Sequence, residues 1–302
     1  MRYFISGIVF ILLLSLSPLI TADEGQTNNP AAAQVQLSHH LSSKTYGKAE
    51  YYRLSNKANM YVIYYQWVKP SPTSESRFMI GLPDPVFWYG YENRGFMDIT
   101  INGISSSSVE PLSTKVWNES EKAGIDTLFN FDGVKLTLRF YMRSDSPVLW
   151  GEIIPEMKTM SESDLKQMRI SFHCKPSMVV GGQLKGIYER ELVMPGRTLS
   201  QQIPSRWHPL TPTDKYIIFT DLKFQPSEKD TKSQGPCFLT MDWTGLNSGK
   251  VWFGNEYAAH AELTINPNAE KFSFGLFESK KRYTNRDFIE MVKTQPTEFS
   301  FK

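Results

Sequence analysis

Ile125-Asp126-Thr127-Leu128-Phe129-Asn130-Phe131-Asp132-Gly133-Val134-Lys135-Leu136-Thr137-Leu138-Arg139-Phe140-Tyr141-Met142 decides the fold. Apolar and polar residues alternate on both sides of Asp132-Gly133, a dipeptide suited to a two-residue type I′ turn because both central residues need φ > 0. Folding the stretch about that turn sets Phe131 against Val134, Phe129 against Leu136, Thr127 against Leu138 and Ile125 against Phe140, which makes one face apolar. The other face opposes Asp126 to Arg139, a pair of complementary charge. The stretch is therefore predicted to be a β-hairpin with one buried side.

The same period of two recurs outward from it. Strands are expected at Asn59–Val68, Phe96–Ile101, Val148–Ile154, Met168–Cys174, Ile187–Met194, Tyr216–Phe224, Cys237–Trp243 and Lys250–Phe253. A second hairpin is predicted from Tyr257–Ile265 and Glu270–Glu278 around Asn266-Pro267-Asn268-Ala269, with Leu263 opposite Phe272, His260 opposite Gly275 and Glu262 opposite Ser273. One helix is expected, opening at Thr284-Asn285-Arg286-Asp287, where Thr284 caps and Phe288, Met291 and Val292 follow at helical spacing. So many strands with one short helix predict an all-β fold, a large twisted antiparallel β-sandwich. Arg197–Asp214, with Pro204, Pro209 and Pro212, fits neither strand nor helix and reads as a long functional loop.

The N-terminus addresses the chain. Arg2, the apolar run Ile8–Leu14 and the small-residue site at Ile20-Thr21-Ala22 have the form of a signal peptide cleaved after Ala22, so a secreted or periplasmic location is expected. Residues 23–44 are polar and aperiodic and read as a flexible leader, and 45–302 as one sandwich domain. No later segment is apolar enough for a membrane span. Lys and Arg number 33 against 31 Asp and Glu, interspersed throughout, which argues against a nucleic-acid partner. The chain has two cysteines, Cys174 and Cys237. In an exported protein such a pair reads as a disulfide, here closing a long loop worth about 4 kcal/mol.

Motifs for nucleophilic, phosphate-binding and metal chemistry are absent: there is no G-x-S-x-G, H-E-x-x-H, paired C-x-x-C or G-x-x-x-x-G-K. Neither a cofactor nor a metal is expected. Aromatics and carboxylates remain. Pro83–Gly95 packs Phe87, Trp88, Tyr89 and Tyr91 beside Asp84, Glu92 and Arg94. Flat rings rimmed by polar groups suit a pyranose, whose C–H face stacks while its hydroxyls hydrogen-bond; the same rings also suit plugging one end of a sandwich. Arg206-Trp207-His208 in the Pro-rich segment is a second candidate, placed to fold over the sheet as a lid. His260 and Glu262, two apart on one strand, share a face and form a candidate acid–base pair, with Glu256 just before them as a third ionisable group.

The twisted strands, the Asp132-Gly133 hairpin and the late strand carrying Asn255-Glu256 and His260 resemble the galactose-mutarotase-like supersandwich over Tyr46–Lys302. The resemblance implies a fold whose members bind or act on carbohydrates, the epimerases among them with a His acid and a Glu base; neither catalytic position is matched here. The expected function is binding of a carbohydrate or other small polar ligand. The alternatives are a carbohydrate-active enzyme using His260, Glu262 and Glu256, and a structural envelope protein. Oligomeric state is left open.

Overall fold

The computed structural model describes residues 34–43, 47–68, 77–81, 95–156, 167–177, 179–180, 183–184, 189–201, 206–225, 235–254, 258–277, 283–295 and 299–301. In chain order the strands are β1 (Gln34–Ser43), β2 (Gly47–Ser55), β3 (Met60–Val68), β4 (Arg77–Gly81), β5 (Met97–Ile101), β6 (Ile104–Ser105), β7 (Ser113–Asn118), β8 (Lys122–Phe131), β9 (Val134–Arg143), β10 (Leu149–Pro155) and β11 (Met168–Cys174). They continue as β12 (Val179–Val180), β13 (Gln183–Leu184), β14 (Arg190–Met194), β15 (Arg197–Ser200), β16 (His208–Pro209), β17 (Tyr216–Asp221), β18 (Cys237–Met241), β19 (Leu246–Trp252), β20 (Ala259–Ile265) and β21 (Phe272–Phe277), followed by helix α1 (Asn285–Thr294).

They build an all-β sandwich. Sheet A runs β1-β2-β3-β4-β5-β11-β20-β19-β16, with β6 beside β5, and sheet B runs β15-β14-β17-β18-β21-β10-β9-β8-β7. The Asp-Gly hairpin has the expected register, from Phe131↔Val134 to Ile125↔Phe140, and Asp132 and Gly133 take φ of 50° and 93°. Arg139 grips Asp126 through Nε at 2.8 Å and Nη2 at 2.7 Å. Between the sheets, the inward residues of β11 and β20 (Ile170, Phe172, Ala261, Leu263) meet those of β9 and β21 (Leu138, Phe140, Phe274, Leu276) in one core. Phe172 of sheet A and Phe274 of sheet B contact edge to face at 4.9 Å. Each such apolar side chain contributes about 1.5–3 kcal/mol through burial.

A third layer covers sheet B. Phe288 and Val292 of α1 pack with Trp150, Ile218, Phe238, Phe277 and Phe299 into a second core. The helix starts as its sequence predicts, with the Thr284 side chain accepting the Asp287 N–H. Replacing Thr284 with Ala should therefore lower stability by about 1 kcal/mol; an unchanged melting temperature would mean that this cap contributes nothing. No described helix is long and apolar enough to cross a membrane.

Four expectations are corrected. The second predicted hairpin is no hairpin: β20 pairs with β11 and β19 in sheet A, whereas β21 pairs with β10 and β18 in sheet B. The apolar faces of these strands do meet, but across the sandwich; alternation reports a buried face without reporting the partner. Second, Gln34–Ser43 forms β1 inside the stretch expected to be a flexible leader. Its register slips between Leu37 and His39, which breaks the period of two that would reveal it. Third, Arg197–Asp214 contains two short strands, β15 at the edge of sheet B and β16 at the edge of sheet A, so it bridges the two layers.

The fourth concerns the cysteines. Cys174 of sheet A and Cys237 of sheet B are buried thiols in contact across the core, with no disulfide. Burial, and secondarily the adjoining Cys174 thiol, push the Cys237 thiol well above its ordinary range. The protonated form is the unreactive one, and the pair packs as two small apolar groups.

Candidate ligand-binding face

Alternation on the central strands of sheet A turns one set of side chains into the core and leaves the other on the outer face. On β11 the outer set is Arg169, Ser171 and His173, and on β20 it is His260, Glu262 and Thr264; all six are half-buried. Lys250 and Trp252 extend the set on β19. Register lines them up in rows. His173, His260 and Trp252 lie across three strands in one row, and Ser171, Glu262 and Lys250 in the next. Asp98 of β5 ends the second row opposite Ser171, but its carboxylate is occupied by the Ser105 and Ser106 hydroxyls at 2.6 and 2.9 Å.

The bridging segment brings Trp207 to this face. β16 pairs with β19 so that His208 opposes Val251 and Pro209 opposes Lys250. His208 is thereby turned inward, 5.1 Å from Phe253, and not toward a ligand; burial first, and then the positive charges of Arg206 and Arg197, hold its pKa below the ordinary value. Trp207 falls on the outer side, its ring 5.9 Å from that of Trp252 and beneath the Lys250 ammonium at 4.5 Å. It remains 41% exposed, which is uncommon for an indole. Arg206 is exposed beside it.

Ion pairs set the electrostatics. Glu262 Oε1 lies 2.9 Å from Lys250 Nζ and 3.9 Å from Arg169 Nη1. His173 and His260 meet through their Nδ1 atoms at 2.6 Å. The Trp252 indole N–H is buried with no hydrogen-bond partner among the described residues, and a buried donor in that state costs about 1–3 kcal/mol until an acceptor reaches it.

Trp207, His260 and Glu262 thus share one face, His208 leaves it, and Trp88, Tyr89, Tyr91, Arg94 and Glu256 lie outside the described residues. Gly275 and Ser273, expected to leave room above His260, are on the opposite sheet, where Thr240, Val148 and Trp150 crowd Gly275. Sequence reasoning missed His173 and Lys250. Their alternation was visible, but only the β11–β20–β19 pairing shows that they join His260 and Glu262.

A cavity of about 510 Å³ lies elsewhere, on sheet B near the C-terminal tail, lined by Tyr216, Trp243, Phe299 and Phe301 among others. Two of its polar side chains are engaged within the protein: Asp242 accepts from Thr244 N and Oγ1, and Thr240 Oγ1 donates to the Lys215 carbonyl. Four aromatic rings line it, whereas the outer face of sheet A gathers charged and imidazole groups beside its rings and is the stronger candidate for polar recognition.

No protein family matches the sequence, and no curated protein does. Solved structures with a related shape include the α-N-acetylgalactosaminidase NagBb of Bifidobacterium bifidum in complex with GalNAc, at TM-score 0.44 and 8% identity over 88% of this chain and 38% of that one. The GH36 α-galactosidase AgaB of Geobacillus stearothermophilus matches at TM-score 0.38 and 10% identity over 81% and 41% of the two chains. The galactosidase domain of the α-galactosidase-sucrose kinase AgaSK matches at TM-score 0.38 and 8% identity over 78% and 40%. This chain spans about two fifths of each of those chains.

Proposed function

We propose that the protein is exported and binds a carbohydrate on the outer face of sheet A. The observation that supports this most is Trp207: an indole 41% exposed, set against Trp252, with Lys250, Glu262 and the two histidines in adjoining rows. A ring supplies the apolar surface for the C–H side of a sugar, and the charged and imidazole groups supply hydrogen bonds to its hydroxyls. Export rests on Arg2, the apolar run Ile8–Leu14 and Ile20-Thr21-Ala22. On architecture, we assign the sandwich to the galactose-mutarotase-like supersandwich.

Binding is favoured over acid–base catalysis by how Glu262 is held. Its carboxylate is held by the Lys250 ammonium at 2.9 Å and the Arg169 guanidinium at 3.9 Å, an ion-pair geometry that fixes its oxygens as acceptors for a ligand hydroxyl. The test is a screen of neutral and uronic-acid oligosaccharides on a glycan array, followed by titration of the best one against wild type and Trp207→Ala. Replacement should weaken binding by about tenfold, the equivalent of one lost ring contact. Equal affinity in the variant would remove Trp207 from the site, and an array with no bound glycan would overturn the reading.

A further inference from the structure

His173 and His260 are direct register partners on β11 and β20, at the middle of sheet A. Their Nδ1 atoms stand 2.6 Å apart, with ring centroids 4.7 Å apart and planes at 89°. Two imidazole nitrogens that close need a proton between them, donated by one ring and accepted by the other. A metal ion in place of that proton would be met by both nitrogen lone pairs.

The distances favour the exchange. With metal–nitrogen bonds of about 2.0–2.1 Å, two ligands at 90° stand about 2.9 Å apart and two at the tetrahedral angle about 3.4 Å. The nitrogens therefore have to part by only about 0.3 Å for a square-planar ion and about 0.8 Å for a tetrahedral one. A small turn of each ring about its Cβ–Cγ bond would open that gap while the strands keep their register. The strands also hold both Cβ atoms on one face, which removes most of the ordering cost of chelation.

We infer that His173 and His260 form a two-histidine site for a divalent transition-metal ion, Cu²⁺ ahead of Zn²⁺. Imidazole suits both ions, and Cu²⁺ gains from its general affinity order and from the smaller displacement at 90°. Among the described residues no three His, Cys, Asp or Glu side chains converge. The described residues thus give two nitrogens, and the remaining positions are open to water or a ligand oxygen on the side where Trp252 and Glu262 lie. Binding requires the donating ring to carry its proton on Nε2 instead of Nδ1, which leaves both Nδ1 lone pairs to the ion, and because protons compete for those lone pairs, binding weakens in acid. The inference is independent of the carbohydrate reading, since it is tested without any sugar.

The experiment is calorimetric titration of the metal-free full chain with Cu²⁺ and with Zn²⁺, paired with electron paramagnetic resonance of the Cu²⁺ form. Expected are one equivalent bound, two coordinated nitrogens in the spectrum, and a higher melting temperature with metal. His173→Ala and His260→Ala should each weaken binding by at least about tenfold, because even groups that merely orient a ligand are worth about 10–100-fold. Gln at either position keeps size and polarity, so His173→Gln and His260→Gln give the same test if the Ala variants fold poorly. The tandem His39-His40 is the competing source of imidazole, and the double variant His39→Ala, His40→Ala should retain the equivalent. Loss of the equivalent in that double variant, or wild-type affinity in the His173 and His260 variants, would overturn the inference.

Discussion

Replacing Asp214 with Ala is expected to cost about 3 kcal/mol of stability at neutral pH. The carboxylate is fully buried and accepts four hydrogen bonds: from Arg197 Nε at 2.9 Å and Arg197 Nη2, and from Thr211 N and Oγ1 at 2.8 and 2.9 Å. Hydrogen bonds to charged groups are worth about 1.5–3 kcal/mol each when removed singly, and breaking a buried ion pair about 3–5 kcal/mol. Arg197 is 37% exposed and regains some hydration, which keeps the figure near the low end. Asp214→Asn should lose nearly as much, since its amide N–H₂ would face the guanidinium. The pH dependence has a definite sign. Burial on its own would raise the Asp214 pKa, but the hydrogen bonds of Arg197 and Thr211 outweigh it and hold the carboxyl below the usual range. Its contribution is therefore complete above about pH 4, where the unfolded carboxyl ionises, and is lost as pH falls through the folded value. Urea denaturation of wild type and variant should show a gap that narrows in acid. A gap under about 1 kcal/mol at pH 7 would mean that water replaces the carboxylate. The same contacts anchor the segment that carries Trp207, so a real loss here should also weaken any ligand bound to that face.

Where the chain alternates strictly and turns tightly, its sequence is sufficient. Asp132-Gly133 specifies both the turn and, through it, every pair from Phe131↔Val134 to Ile125↔Phe140. Thr284 and Asp287 mark the helix start because capping is a local interaction. Partner choice between strands distant in sequence is not local. Ala259, Ala261 and Leu263 carry the same alternation whether they pair with β21 or face it across the core, and the Asn266–Ala269 connection suits either path. The structure takes the second, which moves His260 and Glu262 from beside Gly275 and Ser273 to beside His173 and Ser171. Short edge strands are harder still: among the described strands the two-residue β16 pairs with β19 alone, and its proline, Pro209, argues against a strand.

The candidate face was legible only in fragments for the same reason. Trp207 stands out by composition, and His260 with Glu262 by spacing. Their juxtaposition depends on β16 and β11 flanking the β19–β20 pair, a consequence of crossovers between two sheets that no short-range pattern encodes. His208 shows how far a motif reading reaches: adjacent to Trp207, it points the other way, as any strand neighbour must.

Gly151→Ala should be among the costliest single-methyl additions in the fold, at about 2–3 kcal/mol or more. Gly151 sits in β10 between Phe140 of β9 and Phe274 of β21, two strands of the sheet interior. A Cβ added there would lie 2.1, 2.4 and 2.6 Å from three atoms of the Phe274 ring, which lies over the glycine. That ring has little room to withdraw: it contacts Phe172 at 4.9 Å, Phe272 at 5.9 Å and Phe140 at 6.1 Å. A glycine in a central strand is thus the mark of a close approach, here by an aromatic ring rather than a ligand. Gly249→Ala is the control, because its Cβ would meet the methyl ends of Leu263 at 2.9 Å and Leu210 at 3.1 Å, which can turn aside. A double-mutant cycle isolates the cause. Phe274→Leu alone should destabilise by leaving a gap, but combined with Gly151→Ala the loss should be smaller than the sum by about 1 kcal/mol or more, since each change relieves the other. Strict additivity would show that the ring over Gly151 is not what the methyl displaces.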